Sequence, residues 1–430
     1  MAGKEGMDKG ADLERRYGRL EFTDGSFVRL RWPVHQTLAG RRRTITDVDV
    51  LSLDFDTRLR PTLSIAECKS VKGQSGEMDR LLWLAGLKKL VRADRAVLVR
   101  ESVTASGRDL ARALGIFIMG GQDLGRREAD QTWVPETFGS IGVGPHAEPY
   151  RKAGEQLKAF GDIPPGLITF LRHDAIVADP HQVLGALSTL SDVFRTASVL
   201  PEAVNTIIAS DVLMALLLAA LRAAGSLDAL GEVGLEREIE QGLATGDPRD
   251  RQVLKVLELA DAVMREQLSA LNHAYVVNGA DPIEWKSASL REATVQTPAW
   301  LPRFYDLAVR YRQIPAVARQ LPQSADLVLY DAMHGGTTWK APAFDHLFTP
   351  QHRQLLVVAL DALSNIVPRL ADSLAPIFSI PFERSSPAVP DRRAPAPRDL
   401  VGPTPSDLRL RQYHDQLTLI DDDKVIRHRF

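Results

Sequence analysis

Strand-like patterning is confined to the first third of this chain, and that split constrains its fold more than any other feature. Residues 27–32, 44–53 and 62–69 alternate apolar and polar side chains with a period of two, as half-buried strands do. A polar connection at 54–61 joins the second to the third. Residues 77–91 switch to helical spacing, with Met78, Leu81, Leu82, Leu84, Ala85, Leu87 and Leu90 on a broad apolar face. The apolar run 96–99 reads as a buried strand. A helix over 106–114, capped by Ser106 and closed by Gly115, leads into a last strand at 116–119. This alternation predicts an α/β N-terminal domain, a mixed or parallel sheet flanked by crossover helices.

After a Gly/Pro-rich stretch at 139–149 the strand signal nearly vanishes. Residues 208–224, 252–271, 301–311 and 351–374 carry helical apolar spacing; in the second, Val253, Leu257, Ala260, Met264, Leu268 and Leu271 share one face. The expected organisation is an α/β domain over 1–138, a linker over 139–149 and a mainly α-helical C-terminal domain over 150–380. A Pro-rich linker over 381–405 and a tail over 406–430 follow. Seven of the chain's 26 prolines fall in that second linker, which is too interrupted to bury a core of its own. In the tail, Leu408, Leu410, Leu417, Leu419 and Ile420 could anchor a return to the helical domain.

A hydrophobic share of 44% and a charged share of 25% exclude a disordered or fibrous chain. The single cysteine, Cys68, excludes an intramolecular disulfide and a thiolate zinc cluster. The polar first residues and an apolar run, 212–221, of about half the bilayer-spanning length predict a cytoplasmic protein without a membrane partner. The net charge of −2 divides into +5 over residues 1–135 and −7 over the rest, a modest basic bias suited to a polyanionic partner.

Two predicted strands carry charges where apolar residues are expected. In Thr46-Asp-Val-Asp-Val-Leu51, Asp47 and Asp49 share one strand face, and in Ile65-Ala-Glu-Cys-Lys-Ser70, Glu67 and Lys69 do the same. A hairpin through 54–61 lays the two charged faces side by side. Carboxylates brought together in this way repel each other unless a cation intervenes. Hard oxygen donors suit Mg²⁺, which keeps several waters and takes one or two protein carboxylates plus phosphate oxygens. A metal so placed polarises a phosphoryl oxygen and acidifies a water, and a nearby lysine positions that water or offsets developing charge. The plain alternative is a surface ion-pair ladder on an edge strand, with Asp47 a solvated carboxylate.

Asp49, Glu67 18 residues later, one intervening residue and then Lys69 form a D-x(n)-E-x-K order. A helix, the strand at 96–99, a helix over 105–114, Gly115-Ile-Phe-Ile118 and Gly121-Gln-Asp-Leu124 follow it. This arrangement resembles the PD-(D/E)XK nuclease superfamily, and within it the Mrr-like restriction endonuclease branch. The resemblance covers residues 12–124 and does not reach the helical region. It implies a restriction-endonuclease-like fold and Mg²⁺-dependent cleavage of DNA, with Mn²⁺ able to substitute. It also implies Asp49 and Glu67 as metal ligands, joined by the backbone carbonyl of Cys68, and Lys69 as the water-positioning lysine. Members often add an acid from the first helix; Glu14 in Asp12-Leu-Glu-Arg-Arg-Tyr17 is the candidate, although that helix looks short. Val48 stands where many members have proline, and Gln74 matches a polar helix position only loosely. By analogy, such domains serve as effectors in restriction or phage defence. Cutting both strands of a duplex would call for a homodimer, and the helical domain could also hold a partner protein. The rival reading is a catalytically inactive nuclease-fold module that binds nucleic acid or a partner protein, with the helical domain as scaffold or sensor.

Arg41, Arg42 and Arg43 precede the Asp49 strand and are candidates for binding DNA phosphates, or form a solvated turn. Lys72, Arg80, Lys88 and Lys89 could extend that footprint, or be ordinary surface charges. Cys68 reads as a small core residue on the opposite strand face. No close histidine pair suggests a zinc hydrolase, and no phosphate-binding glycine loop of the G-x-x-x-x-G-K type is present. His334-Gly-Gly-Thr-Thr-Trp339 reads as a turn, as does Asp421-Asp-Asp423.

Overall fold

Consecutive strands of the N-terminal region pair with their sequence neighbours, so sheet order follows chain order, β1-β2-β3-β4-β5. The strands are β1 (Phe27–Leu38), β2 (Arg41–Phe55), β3 (Pro61–Lys69), β4 (Arg95–Arg100) and β5 (Phe117–Gly120). β1, β2 and β3 pair antiparallel, and β3, β4 and β5 pair parallel, which makes the sheet mixed. The parallel pairs are joined by helices, α2 (Glu77–Leu90) between β3 and β4 and α3 (Ala105–Ala113) between β4 and β5. This computed structural model describes residues 4–38, 41–69, 76–143, 148–158, 160–196, 199–248, 251–282, 289–290, 297–379 and 382. Lys72, Gln74, nearly all of the Pro-rich segment, and the tail with its apolar anchors and Asp421–Asp423 lie outside the described residues.

The first helix, α1 (Lys4–Thr23), is 20 residues long rather than short. Gly6, Gly10 and Gly18 weaken its sequence signal, yet tertiary packing makes Gly18 an asset. A Cβ at Gly18 would lie 2.9 Å from a methyl of Leu30, so the helix seats closely on β1. β1 and β2 extend beyond the predicted strands because their distal residues pair with each other, Leu38 with Arg41 and Thr37 with Arg42. Pro33 is tolerated inside β1 because β1 is an edge strand. The cap of α3 is Thr104 rather than Ser106. The Thr104 hydroxyl accepts from the Gly107 amide at 2.9 Å and donates to Glu77 at 2.6 Å. On α2, Leu81, Leu84 and Leu87 are buried while Met78, Leu82 and Leu90 are exposed, so its apolar face is narrower than the spacing implies.

Helices follow the sheet: α4 (Gly121–Ala129), α5 (Gly139–Val143), α6 (Glu148–Leu157), α7 (Pro165–Arg172), α8 (Pro180–Thr196), α9 (Glu202–Thr245) and α10 (Arg251–Val277). They continue with α11 (Leu301–Gln313), α12 (Pro315–Ala318), α13 (Leu321–His334), α14 (Pro350–Ile366) and α15 (Pro368–Ser379). The predicted helix over 351–374 is broken before Pro368, which starts α15. Gly231, with φ 66, interrupts α9. By length and composition α9 could cross a membrane, but 83% of its most apolar window is buried within the protein. The expected apolar stripe of α10 is half-buried at Leu257, Ala260, Met264 and Leu268 and exposed at Val253 and Leu271. Gly335, with φ 73, ends α13, and the Trp339 amide donates to Asp331 at 2.8 Å, which makes the His334–Trp339 stretch a capped turn.

The described residues, from the sheet through α15, belong to one compact unit. Within it, the predicted linker contributes α5, whose Ser140 and Ile141 are buried. Arg29 of β1 pairs with Asp326 of α13 at 2.5 Å, and the Trp32 indole donates to the His173 carbonyl at 2.9 Å. The Gln323 amide caps the Phe22 and Ser26 carbonyls at 2.6 and 3.0 Å. α9 approaches the β2–β3 turn so closely that a Cβ at Gly225 would clash with the Leu59 carbonyl. The obstacle is backbone, in a turn whose Leu59 is itself buried with φ 62. Gly225→Ala is therefore expected to cost about 1–3 kcal/mol by overpacking. Urea unfolding would measure it; unchanged stability would show that α9 and the turn separate freely.

Candidate active site

The β2–β3 register places Val50 opposite Ala66 and Leu51 opposite Ile65, so one further step sets Asp49 opposite Glu67. Antiparallel neighbours share a sheet face, and residues two apart along β3 do too. Asp49, Glu67 and Lys69 therefore meet on one face. The Lys69 ammonium lies 2.8 Å from Glu67 Oε1 and 3.7 Å from Asp49 Oδ2. The Cys68 amide donates to Asp49 Oδ2 at 2.7 Å, which fixes the carboxylate against β3. Glu67 is buried, its side chain only 3% exposed, whereas Lys69 is 33% exposed at the rim.

The site's electrostatics follow from that burial. Loss of solvent pushes the Asp49 carboxyl above its ordinary range, against the Cys68 amide and Lys69, which favour its charge. Burial also raises Glu67, and the Asp49 carboxylate raises it further, outweighing Lys69 and Arg80. For Lys69, burial disfavours the ammonium, but the Glu67 and Asp49 contacts prevail and hold its pKa above the usual lysine value. Two acids that resist ionisation thus face a lysine that stays charged. Added positive charge would relieve them.

Sequence reasoning placed Arg80 only in a general basic footprint, yet its guanidinium reaches Glu67 Oε1 at 3.3 Å from the first turn of α2. It also lies over the Trp83 ring at 5.6 Å. Arg31 was not singled out at all. It sits in β1 with φ 50, a conformation uncommon outside glycine, and pairs with Glu14 at 2.8 Å. Glu14 is buried on α1, and loss of solvent raises its carboxyl against the Arg31 hydrogen bond. Its described ion-pair partner is Arg31, not Lys69. Asp47 is exposed, and Cys68 is buried with its thiol pKa pushed up by loss of solvent.

The three predicted arginines do not stand beside the acids. They form the start of β2, and Arg43, six residues from Asp49, is about 20 Å away along the strand. Arg42 is already engaged: its guanidinium pairs with Asp174, contacts His35 Nδ1 at 3.1 Å and donates to the Gly166 carbonyl at 3.1 Å. Arg41 and Arg43 are exposed. Lys88 is half-buried and Lys89 exposed on α2, and Lys72 lies outside the described residues.

Among the described residues no three His, Cys, Asp or Glu side chains gather into a protein-only metal cage. Asp49 and Glu67 instead form a two-carboxylate donor set, which fits Mg²⁺ because that ion retains much of its water shell. Transition metals that want several nitrogen or sulfur ligands are poorly matched. No protein-family model matches the chain, and neither the curated proteins nor the solved structures yield a match.

Proposed function

We propose that the chain is a Mg²⁺-dependent DNA endonuclease with a restriction-endonuclease-like N-terminal region of the PD-(D/E)XK type. The observation that carries this reading is the convergence of Asp49, Glu67 and Lys69, within 2.8 and 3.7 Å of the ammonium, on one face of adjacent strands. Asp49, Glu67 and the Cys68 carbonyl would hold Mg²⁺, or Mn²⁺ in its place. Bound there, the ion would polarise a phosphoryl oxygen and lower the pKa of a water. The chain's own groups supply the rest. Lys69 stays protonated beside two acids, so it can donate a hydrogen bond to the attacking water or to the phosphate and fix its orientation. Arg80 adds a second cation where negative charge accumulates on the phosphate. The Cys68 amide keeps the Asp49 carboxylate aimed at the site. A role in restriction or phage defence extends this proposal by analogy with such nucleases.

One observation favours the rival reading. Lys69 bridges both acids, which could make the trio a closed ion-pair ladder within a module that binds nucleic acid or protein without cutting. Supercoiled plasmid distinguishes the two. Cleavage is expected with Mg²⁺, absent with EDTA and lost in Asp49→Ala protein. EDTA-insensitive binding without products would support the inactive module instead.

A further inference from the structure

A polar cavity lies away from the acidic trio, walled by β1, the start of β3, the turn before β4 and helices α7 to α9. Its volume is about 710 Å³, within the range of small-molecule sites. Arg222 of α9 contributes to its lining. This arginine interrupts an otherwise apolar stretch, with Leu221, Ala223 and Ala224 all fully buried. Its Nη2 donates to the Ile176 carbonyl, but Nε is buried without a hydrogen-bond acceptor, and no described carboxylate forms an ion pair with it. Burial pulls its pKa down to about 10, against the more distant Asp179 and Asp94. Nearby, His35 pairs with Asp174 at 2.8 Å, and Asp174 also takes Arg42. A largely desolvated cation at a cavity wall, held out of contact with any described carboxylate, is costly unless something anionic completes it.

We infer that this cavity binds a small phosphate ester bearing hydroxyl groups, with its phosphate on Arg222 and its hydroxyls hydrogen-bonded to Asp94 and Asp179. The same carboxylates argue against a nucleic-acid strand, because Asp94, Asp174 and Asp179 would repel a continuous polyanion. For a small ester they act as acceptors for its hydroxyl protons. The phosphate forms charge-assisted hydrogen bonds to the guanidinium where it lines the cavity.

Calorimetric titration of the full chain in EDTA, at constant ionic strength, tests this with two probes, inorganic phosphate and ribose 5-phosphate. EDTA silences any metal-dependent binding at Asp49 and Glu67, so the outcome is separate from the nuclease reading. Both probes are expected to bind, ribose 5-phosphate about tenfold more tightly. Arg222→Met should weaken both by about tenfold or more, and Asp179→Asn should remove only the advantage of the sugar. Arg222→Lys, which keeps the charge but loses the fork, should bind both probes more weakly than the parent and serves if the methionine variant fails to fold. No heat with either probe, or undiminished affinity in the Arg222 variants, would overturn the site. Equal affinity for the two probes would overturn its hydroxyl contacts.

Discussion

Glu67→Gln protein is expected to cleave plasmid slower by on the order of a thousandfold, while unfolding at a temperature equal to or higher than that of the parent chain. The two halves of this result come from one cause. Glu67 is 3% exposed and faces Asp49 across adjacent strands, so its negative charge is both desolvated and repelled. Lys69 and Arg80 offset only part of that penalty. An amide of the same shape avoids the cost of a buried anion while giving up its ion pairs. If the acids exist to hold a cation, removing one should abolish chemistry without loosening the fold, and added Mg²⁺ should stabilise the parent but not the variant. Lys69→Met should likewise lose activity by about a hundredfold or more, because it removes the donor nearest both carboxylates. A structural ladder behaves in the opposite way. Removal of Glu67 would then leave Lys69 and Arg80 underpaired and lower the unfolding temperature, with no response to Mg²⁺ in either protein. Differential scanning calorimetry beside the plasmid assay separates these outcomes.

The acidic trio could be read from sequence because strand geometry is local. A period of two and an antiparallel return through 54–61 are enough to bring Asp49, Glu67 and Lys69 to one face. Arg80 was only half legible, since its contact with Glu67 depends on how α2 docks after the β3–α2 connection. Arg31 was invisible because its placement rests on a single left-handed backbone angle inside β1. The arginines at 41–43 misled for a similar reason. Their polar, exposed character reads as a turn, yet backbone pairing with residues 36–38 continues the hairpin past the core and carries them away from the acids. Arg222, too, looks like an ordinary interruption of an apolar helix until α7, α8 and the sheet close a cavity around it. For Arg80 and Arg222 the sequence withheld a tertiary contact; for Arg31 and residues 41–43 it withheld a local backbone geometry.

A second large effect is expected far from the acids, at pH values between about 6.5 and 4. His352 is buried at the third position of α14, where it completes a reciprocal cap with Thr349. Its Nδ1 meets the Thr349 hydroxyl at 2.7 Å, and Nε2 lies 3.1 Å from Gln320 Oε1. This pattern suits neutral imidazole, with Nε2–H donating to Gln320 and Nδ1 accepting. Burial, reinforced by nearby His346, lowers the His352 pKa to about 4 from the usual 6.5. A group whose folded pKa is depressed remains unprotonated in the native state while the unfolded chain already binds the proton. Stability from this residue is thus intact above about 6.5 and lost progressively as pH falls toward 4. The shift corresponds to at most about 3 kcal/mol. Asp49, Glu67 and Asp211, whose carboxyls burial raises, push in the opposite direction over part of this range. The comparison must therefore be with His352→Gln, which keeps a capping side chain but cannot titrate. The stability advantage of the parent over this variant should shrink between pH 7 and 4.5 in urea unfolding. A difference that stays constant with pH would show that imidazolium is accommodated in the cap, and that the histidine acts there through shape and hydrogen bonding alone.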